Sequence, residues 1–288
     1  MVNNAFKFFA GIFGTVAMVA ACAPVSILNG ITPSSSFNKT KNEAYGTEKY
    51  EILDVYRTEK PRADAPVLVF VHGGSWDSGS KNIYKFLAEA FTSSGYDIVV
   101  PNYRLYPEAI FPNFIEDNAK AVAYVQKTFP DRQIVLMGHS AGAYNVLMLA
   151  LRDEYLDDAG VNRCEKIAGV VALAPPTGVV PLTGPRLIEI FPDRFLGEDA
   201  VLNNVNAPSP PLFLGHGESD TTVYPQNSTQ LAEKVAARGG VVEVKVYEGQ
   251  SHIDVVKVLS RHFDGKVTLK ADILAFIEAL PETNQNCR

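Results

Sequence analysis

A serine set between glycines, a glycine pair behind a histidine, and loops carrying Asp and His near the C-terminus are the parts of this 288-residue sequence best able to do covalent chemistry. Residues 138–142 read Gly-His-Ser-Ala-Gly, after the apolar run Ile134–Met137 and before a helical pattern opening at Ala141. So sharp a strand-to-helix turn forces its central residue into a strained backbone conformation and needs glycine on both flanks to clear the neighbouring backbone. Ser140 would then project its hydroxyl as a nucleophile at the carboxyl end of a sheet, where open α/β sheets bind ligands. The helix that starts there adds a dipole favouring negative charge. Alone the pentapeptide is a weak signal; its place between strand and helix gives it weight. A second run, His72-Gly73-Gly74-Ser75-Trp76, follows the apolar run Val67–Val71. Backbone N–H groups of such glycines can face a bound carbonyl and stabilise the oxyanion of a tetrahedral intermediate, roughly 3–4 kcal/mol per donor. Gly73 and Gly74 are the candidate donors on this loop, with Ser75 left open as a substitute, and Ala141, after the nucleophile, supplies the other. Standing alone, the glycine pair would be no more than a tight turn.

The elements around these motifs alternate. Strands are expected at Ile52–Tyr56, Val67–Val71, Ile98–Pro101, Ile134–Met137, Ile167–Leu173, Leu212–Leu214 and Val241–Tyr247. Helices are expected at Ile83–Ser93, Phe114–Thr128, Ala141–Arg152, Thr229–Arg238 and Leu269–Leu280. Several strands are near-continuous apolar runs, which implies burial on both faces. The fold class is therefore α/β, a mostly parallel sheet with helices on both sides. Residues 175–211 break the rhythm with many prolines and little periodicity, and read as a short cap crossing the sheet.

With both motifs in this order the chain resembles serine esterases of the α/β-hydrolase fold, of the hormone-sensitive-lipase and feruloyl/acetylxylan-esterase type. Its His-Gly-Gly-x-Trp form is similar to that of arylformamidases. A third block, Tyr103-Arg104-Leu105-Tyr106-Pro107-Glu108, then Phe111-Pro112 and Glu116-Asp117, resembles a stretch of these esterases in which the arginine and aspartate brace the loop beneath the site. The resemblance implies that bracing role for Arg104 and Asp117. It covers about residues 44–280 and is most specific up to residue 142. It departs where the cap is short and where Ser75 replaces a third glycine.

On that fold the catalytic acid follows the serine and the histidine comes last. His252 lies in Glu248-Gly249-Gln250-Ser251-His252, directly after the last strand, on a loop that can swing back over the sheet edge. The block Leu214-Gly215-His216-Gly217-Glu218-Ser219-Asp220 resembles the family's His-Gly-x-x-Asp, which implies Asp220 as the acid, Glu218 as its competitor and His216 as structural. His262, further on, reads as a surface residue. Neutral His252 would take the Ser140 proton and return it to the leaving group, while Asp220 fixes its tautomer. The implied reaction is hydrolysis of a small carboxylic ester through an acyl-enzyme. An aryl formamide or a peptide is the alternative substrate. A binding protein on a hydrolase scaffold is a third reading, and the complete set of three residues argues against it. Tyr106, Phe111, Phe191, Phe195 and Tyr224 are candidates for lining a pocket or for plain core. Neither cofactor nor metal is expected, since His72 and His139 each belong to one of the motifs above.

Composition fits one globular chain, with 47% hydrophobic residues, 20% charged and a net charge of −6. No run of lysines and arginines exceeds two residues, which excludes an electrostatic footprint for nucleic acid. Lys7 precedes a mostly apolar stretch to Ala21, short for a membrane span and proportioned like a signal-peptide core. It ends Val19-Ala20-Ala21-Cys22, which resembles the bacterial lipobox. The expected organisation is a lipoprotein signal over 1–21, a tether over 22–46 and a catalytic domain over 47–288. Lipidation of Cys22 would anchor the chain in the cell envelope, on the periplasmic side of the outer membrane; a soluble secreted or periplasmic protein is the alternative. Cys164 and Cys287 are left either as a disulfide or as two thiols.

Overall fold

The computed structural model describes residues 27–178, 184–195, 197–205 and 209–281. Its eight strands form one sheet: β1 (Phe37–Ala44), β2 (Ile52–Thr58), β3 (Val67–Val71), β4 (Ile98–Pro101), β5 (Ile134–His139), β6 (Ile167–Leu173), β7 (Leu212–Gly217) and β8 (Val242–Tyr247). The order is β1-β2-β4-β3-β5-β6-β7-β8; β1, β2 and β4 pair antiparallel in turn, and every pairing from β4 to β8 is parallel.

The central strands bury both faces, as their unbroken apolar runs require. Val67, Val69 and Val71 of β3 enter one core cluster while Leu68 and Phe70 enter the other, and Ile134 and Leu136 of β5 oppose Val135 and Met137 in the same way. The helices that cover these faces are α1 (Lys85–Thr92), α2 (Asn113–Thr128), α3 (Ala141–Leu151), α4 (Asp153–Asp158), α5 (Arg163–Lys166), α6 (Pro185–Ile190), α7 (Gln226–Ala236), α8 (Asp254–Lys257) and α9 (Leu269–Glu278). Helices α2, α3 and α7 pack on one face; α1, α8 and α9 pack on the other. From β3 the chain crosses to β4 on one side, and β5 then takes up the other side. The sheet thus reverses its winding between β3 and β5, and a crevice opens at the carboxyl ends of strands at such a point.

One expectation needs correction. Residues 22–46 were expected to be a tether, yet from residue 27 onward the segment is docked. Leu28 and Phe37 are buried in the α1-side core, the Lys85 backbone N–H donates to Asn29 Oδ1 at 2.6 Å, and β1 pairs along β2. The reason is that β1 is an edge strand with one buried residue, Phe37, so no hydrophobic alternation betrays it. Its attachment is polar: Lys39 Nζ lies 2.6 Å and the buried Lys81 Nζ 2.7 Å from the two oxygens of Asp54 on β2. The described part of the cap contains a short helix. Pro185, which opens α6, costs nothing at a first helical position where the N–H has no partner in any case.

Cys22 and Cys287 lie outside the described residues, and Cys164 is disulfide-bonded.

Candidate active site

Ser140 occupies the junction of β5 and α3 with φ 54° and ψ −122°, a left-handed conformation that costs a non-glycine residue roughly 1–3 kcal/mol. Hydrogen bonds hold it there, from the Ser140 N–H to Leu173 O at 2.9 Å and from the Tyr144 N–H to Ser140 O at 3.0 Å. The flanking glycines are dictated by contact. A Cβ on Gly142 would stand 2.1 Å from Val71 O, and one on Gly138 would stand 2.3 Å from Gly142 O.

His252 reaches this serine from the loop after β8, its Nε2 2.8 Å from Ser140 Oγ. Its Nδ1 lies 2.7 Å from Asp220 Oδ2, in the loop after β7. The other oxygen of Asp220 accepts the N–H groups of Thr222 and Val223, both at 2.9 Å. Burial pushes the Asp220 pKa up, but hydrogen bonds from His216, His252 and the Val223 N–H outweigh it and hold the carboxyl well below the usual range. An ionised Asp220 accepts the Nδ1–H of His252, which leaves Nε2 with a lone pair for the serine proton. Glu218, the sequence competitor, is exposed and accepts the Gly249 N–H at 3.3 Å instead.

Gly73 packs directly on the nucleophile, for a Cβ there would stand 2.9 Å from His139 O and 3.2 Å from Ser140 Cβ. The loop then curls through positive φ at Gly74 (127°), Ser75 (51°) and Trp76 (59°). Its carbonyls are occupied: Gly73 O lies 2.8 Å from His72 Nδ1, and Gly74 O accepts the N–H groups of Asp77 at 3.1 Å and Ser78 at 2.9 Å. Among the described residues, the N–H groups of Gly73, Gly74 and Ala141 donate to nothing. Unspent donors beside a nucleophile are what an oxyanion site requires.

Several supports were not legible beforehand. His139 Nε2 lies 2.8 Å from the backbone O of His252, tying the base-bearing loop to the elbow. Burial, then the nearby His252, push the His139 pKa down to about 3, so its ring is neutral and Nε2–H is the donor. Trp76 Nε1–H donates to Asn145 Oδ1 at 2.9 Å, which fastens the glycine loop to α3. A lone amide inside the otherwise apolar α3 was the available signal. Tyr103 stacks on His72 at 4.5 Å and donates to His72 O at 3.0 Å. Arg104 and Asp117 meet as expected, with Nε to Oδ2 at 2.9 Å and Nη2 to Oδ1 at 2.6 Å. Of the five aromatic candidates, Phe111 packs against both Phe191 and Phe195, Tyr106 donates to Glu189 at 2.6 Å, and Tyr224 is exposed.

Known proteins share this fold or resemble this sequence. A truncated carbohydrate esterase from gut microbiota superposes with a TM-score of 0.72 over 86% of this chain and 97% of its own, at 16% identity. Esterase B from Lactobacillus rhamnosis superposes with a TM-score of 0.77 over 92% of this chain and 93% of its own, at 17% identity. A probable isoprenylcysteine alpha-carbonyl methylesterase of Arabidopsis thaliana is 23% identical over 73% of this chain and 50% of its own length. The kynurenine formamidase of Drosophila melanogaster is 24% identical over 74% of each chain. The chain spans about half the length of the plant methylesterase. Residues 198–281 also match the prolyl oligopeptidase family. The sheet order is that of the α/β-hydrolase fold, and residues 53–235, more than half of the chain, match the BD-FAE family, to which this protein belongs.

Proposed function

We propose that this α/β-hydrolase is a serine esterase that cleaves small carboxylic esters through an acyl-enzyme on Ser140. The observation that carries the reading is the unbroken run Asp220–His252–Ser140, at 2.7 and 2.8 Å, beside unspent N–H donors. His252 takes the hydroxyl proton as Ser140 Oγ attacks the ester carbonyl. The oxyanion settles against the N–H groups of Ala141 and of the Gly73–Gly74 loop. His252⁺ then protonates the departing alcohol, and water repeats the sequence to free the acid. The test is Ser140→Ala with p-nitrophenyl acetate and a fluorophosphonate probe. Activity should fall below about a hundredth of wild type and labelling should vanish, with the fold intact by circular dichroism. Retention of either would remove Ser140 from the role.

A formamide is the second reading, favoured by the match to the fly kynurenine formamidase. The same nucleophile would attack the formyl carbon and His252⁺ would protonate an aryl amine. Competition between an N-formyl anilide and p-nitrophenyl acetate ranks the two.

The N-terminus supports a membrane-tethered form of this enzyme. Cleavage before Cys22 and acylation of its thiol would place the lipid close in sequence to Leu28, which is buried against the catalytic domain. Cys22→Ser should then abolish lipid labelling. An unmodified N-terminus at another residue, by intact mass, would reduce the proposal to ordinary secretion.

A further inference from the structure

His216 lies at the end of β7, fully buried, with each ring nitrogen facing a polar group. Nδ1 is 2.7 Å from Ser228 Oγ, in the first turn of α7. Nε2 is 2.8 Å from the backbone O of Val223 and 3.3 Å from Asp220 Oδ2. Both partners of Nε2 are acceptors, so Nε2 carries the proton and shares it between them. Asp220 Oδ2 therefore stands between two imidazoles, with His252 Nδ1 at 2.7 Å and His216 Nε2 at 3.3 Å. Only one of these rings touches the nucleophile.

We propose that His216 is a positioning residue for the reaction: its Nε2–H neutralises part of the Asp220 charge and so sets how strongly His252 holds a proton. The inference rests on the triad read above. A carboxylate that shares its charge with a second donor is a weaker partner for an imidazolium. With His216 removed, the whole of that charge falls on His252, which becomes easier to protonate and idle at low pH. The remaining polar groups around the pair leave His216 as the adjustable one. Thr222 and Val223 hold Asp220 Oδ1 through backbone N–H groups. His139 is neutral and spends Nε2 on the His252 carbonyl. Asp254, in the turn after His252, is paired with Lys257 and with the Ser251 N–H and hydroxyl, and Glu218 faces the Gly249 N–H at the surface.

The experiment compares two amides in the full chain. In His216→Gln the side-chain nitrogen falls near Nε2 and can still reach Asp220; in His216→Asn it falls near Nδ1, where it meets Ser228 and not Asp220. The pH profile of kcat/KM for p-nitrophenyl acetate is the readout. The acid limb of His216→Asn should move upward by about half a unit to one unit, while that of His216→Gln stays close to wild type. A purely structural His216 would lower kcat without moving the limb, and coincident limbs in wild type, Gln and Asn variants would overturn the proposal. If His216→Asn does not fold, His216→Met is measured in its place. Its side chain fills the site and offers Asp220 no proton, so it should give the same upward movement; an unmoved limb there rejects the proposal as well. Should wild type itself fail to react with fluorophosphonate at Ser140, the triad reading has failed and not the role of His216.

Discussion

Asp220 shows how a side chain's surroundings, rather than its type, decide what it can do. Asp220 and Glu218 stand two positions apart on one loop, and either carboxylate could serve by sequence alone. Two backbone N–H groups and two imidazoles surround Asp220, whereas Glu218 faces water and one N–H. Asp220→Asn should lower kcat by about 10³–10⁴-fold, since an amide can donate to His252 Nδ1 and trap the wrong tautomer. Glu218→Gln should leave kcat within about a factor of three, as for an exposed side chain away from the chemistry. Steady-state kinetics on both variants decide the matter, and the reverse ranking would move the role to Glu218. The nucleophile was legible for a related reason. Approaches of 2.1 and 2.3 Å leave no room for a Cβ at Gly142 or Gly138, so the pattern around Ser140 is forced. Asn145 and His139 were not legible as supports, because their contacts depend on how α3 and the loop after β8 lie in space. A one-dimensional motif carries no such information.

At the level of elements, hydrophobic pattern revealed what the hydrophobic effect builds and missed what charge and backbone pairing build. Seven strands announce themselves by apolar runs, while β1 attaches through Asp54, Lys39 and Lys81 and reads as loop. The cap belongs to the same class, for a short segment is held by particular contacts rather than by a periodic face. Ile190 and Phe191 are buried, and the Phe111 N–H donates to Ile190 O at 2.9 Å. Arg186 pairs with Asp77 on the glycine loop at 2.8 Å, and Tyr106 with Glu189 at 2.6 Å. Residues 186–191, fastened at these points, are expected to act as a fixed wall and not as a mobile lid. The expected consequence is a maximum in kcat/KM at acetyl to butyryl esters with no jump in rate when an oil–water interface forms. A p-nitrophenyl ester series run below and above substrate solubility tests this. An optimum at about ten carbons or more, with interfacial activation, would show that the cap opens.

For the whole molecule, the machinery that places neutral imidazoles in the core ties folding stability to pH. His72 and His139 are completely buried, and burial lowers their pKa values from 6.5 to about 4 and about 3. Both protonate near 6.5 once the chain unfolds. Above that pH folded and unfolded chains bind the same number of protons at these sites, and their contribution to stability is complete. As the pH falls from about 6.5 toward the folded values, the unfolded chain takes up protons that the folded chain refuses. Stability then declines by up to about 1.4 kcal/mol per pH unit for each histidine. Asp220 adds a later loss of the same direction. Its folded pKa is depressed, so its contribution is intact above the unfolded value near 3.9 and fades only below it. Urea unfolding at 25 °C should therefore give nearly constant stability from pH 8 to 7 and a steep fall between about 6.5 and 4.5. His72→Asn keeps a donor near Nδ1 for Gly73 O and removes the titrating ring, so it should flatten that fall by about one proton. Equal slopes in wild type and His72→Asn would mean that His72 takes up its proton in the folded chain as readily as in the unfolded one, and that burial does not keep its ring neutral.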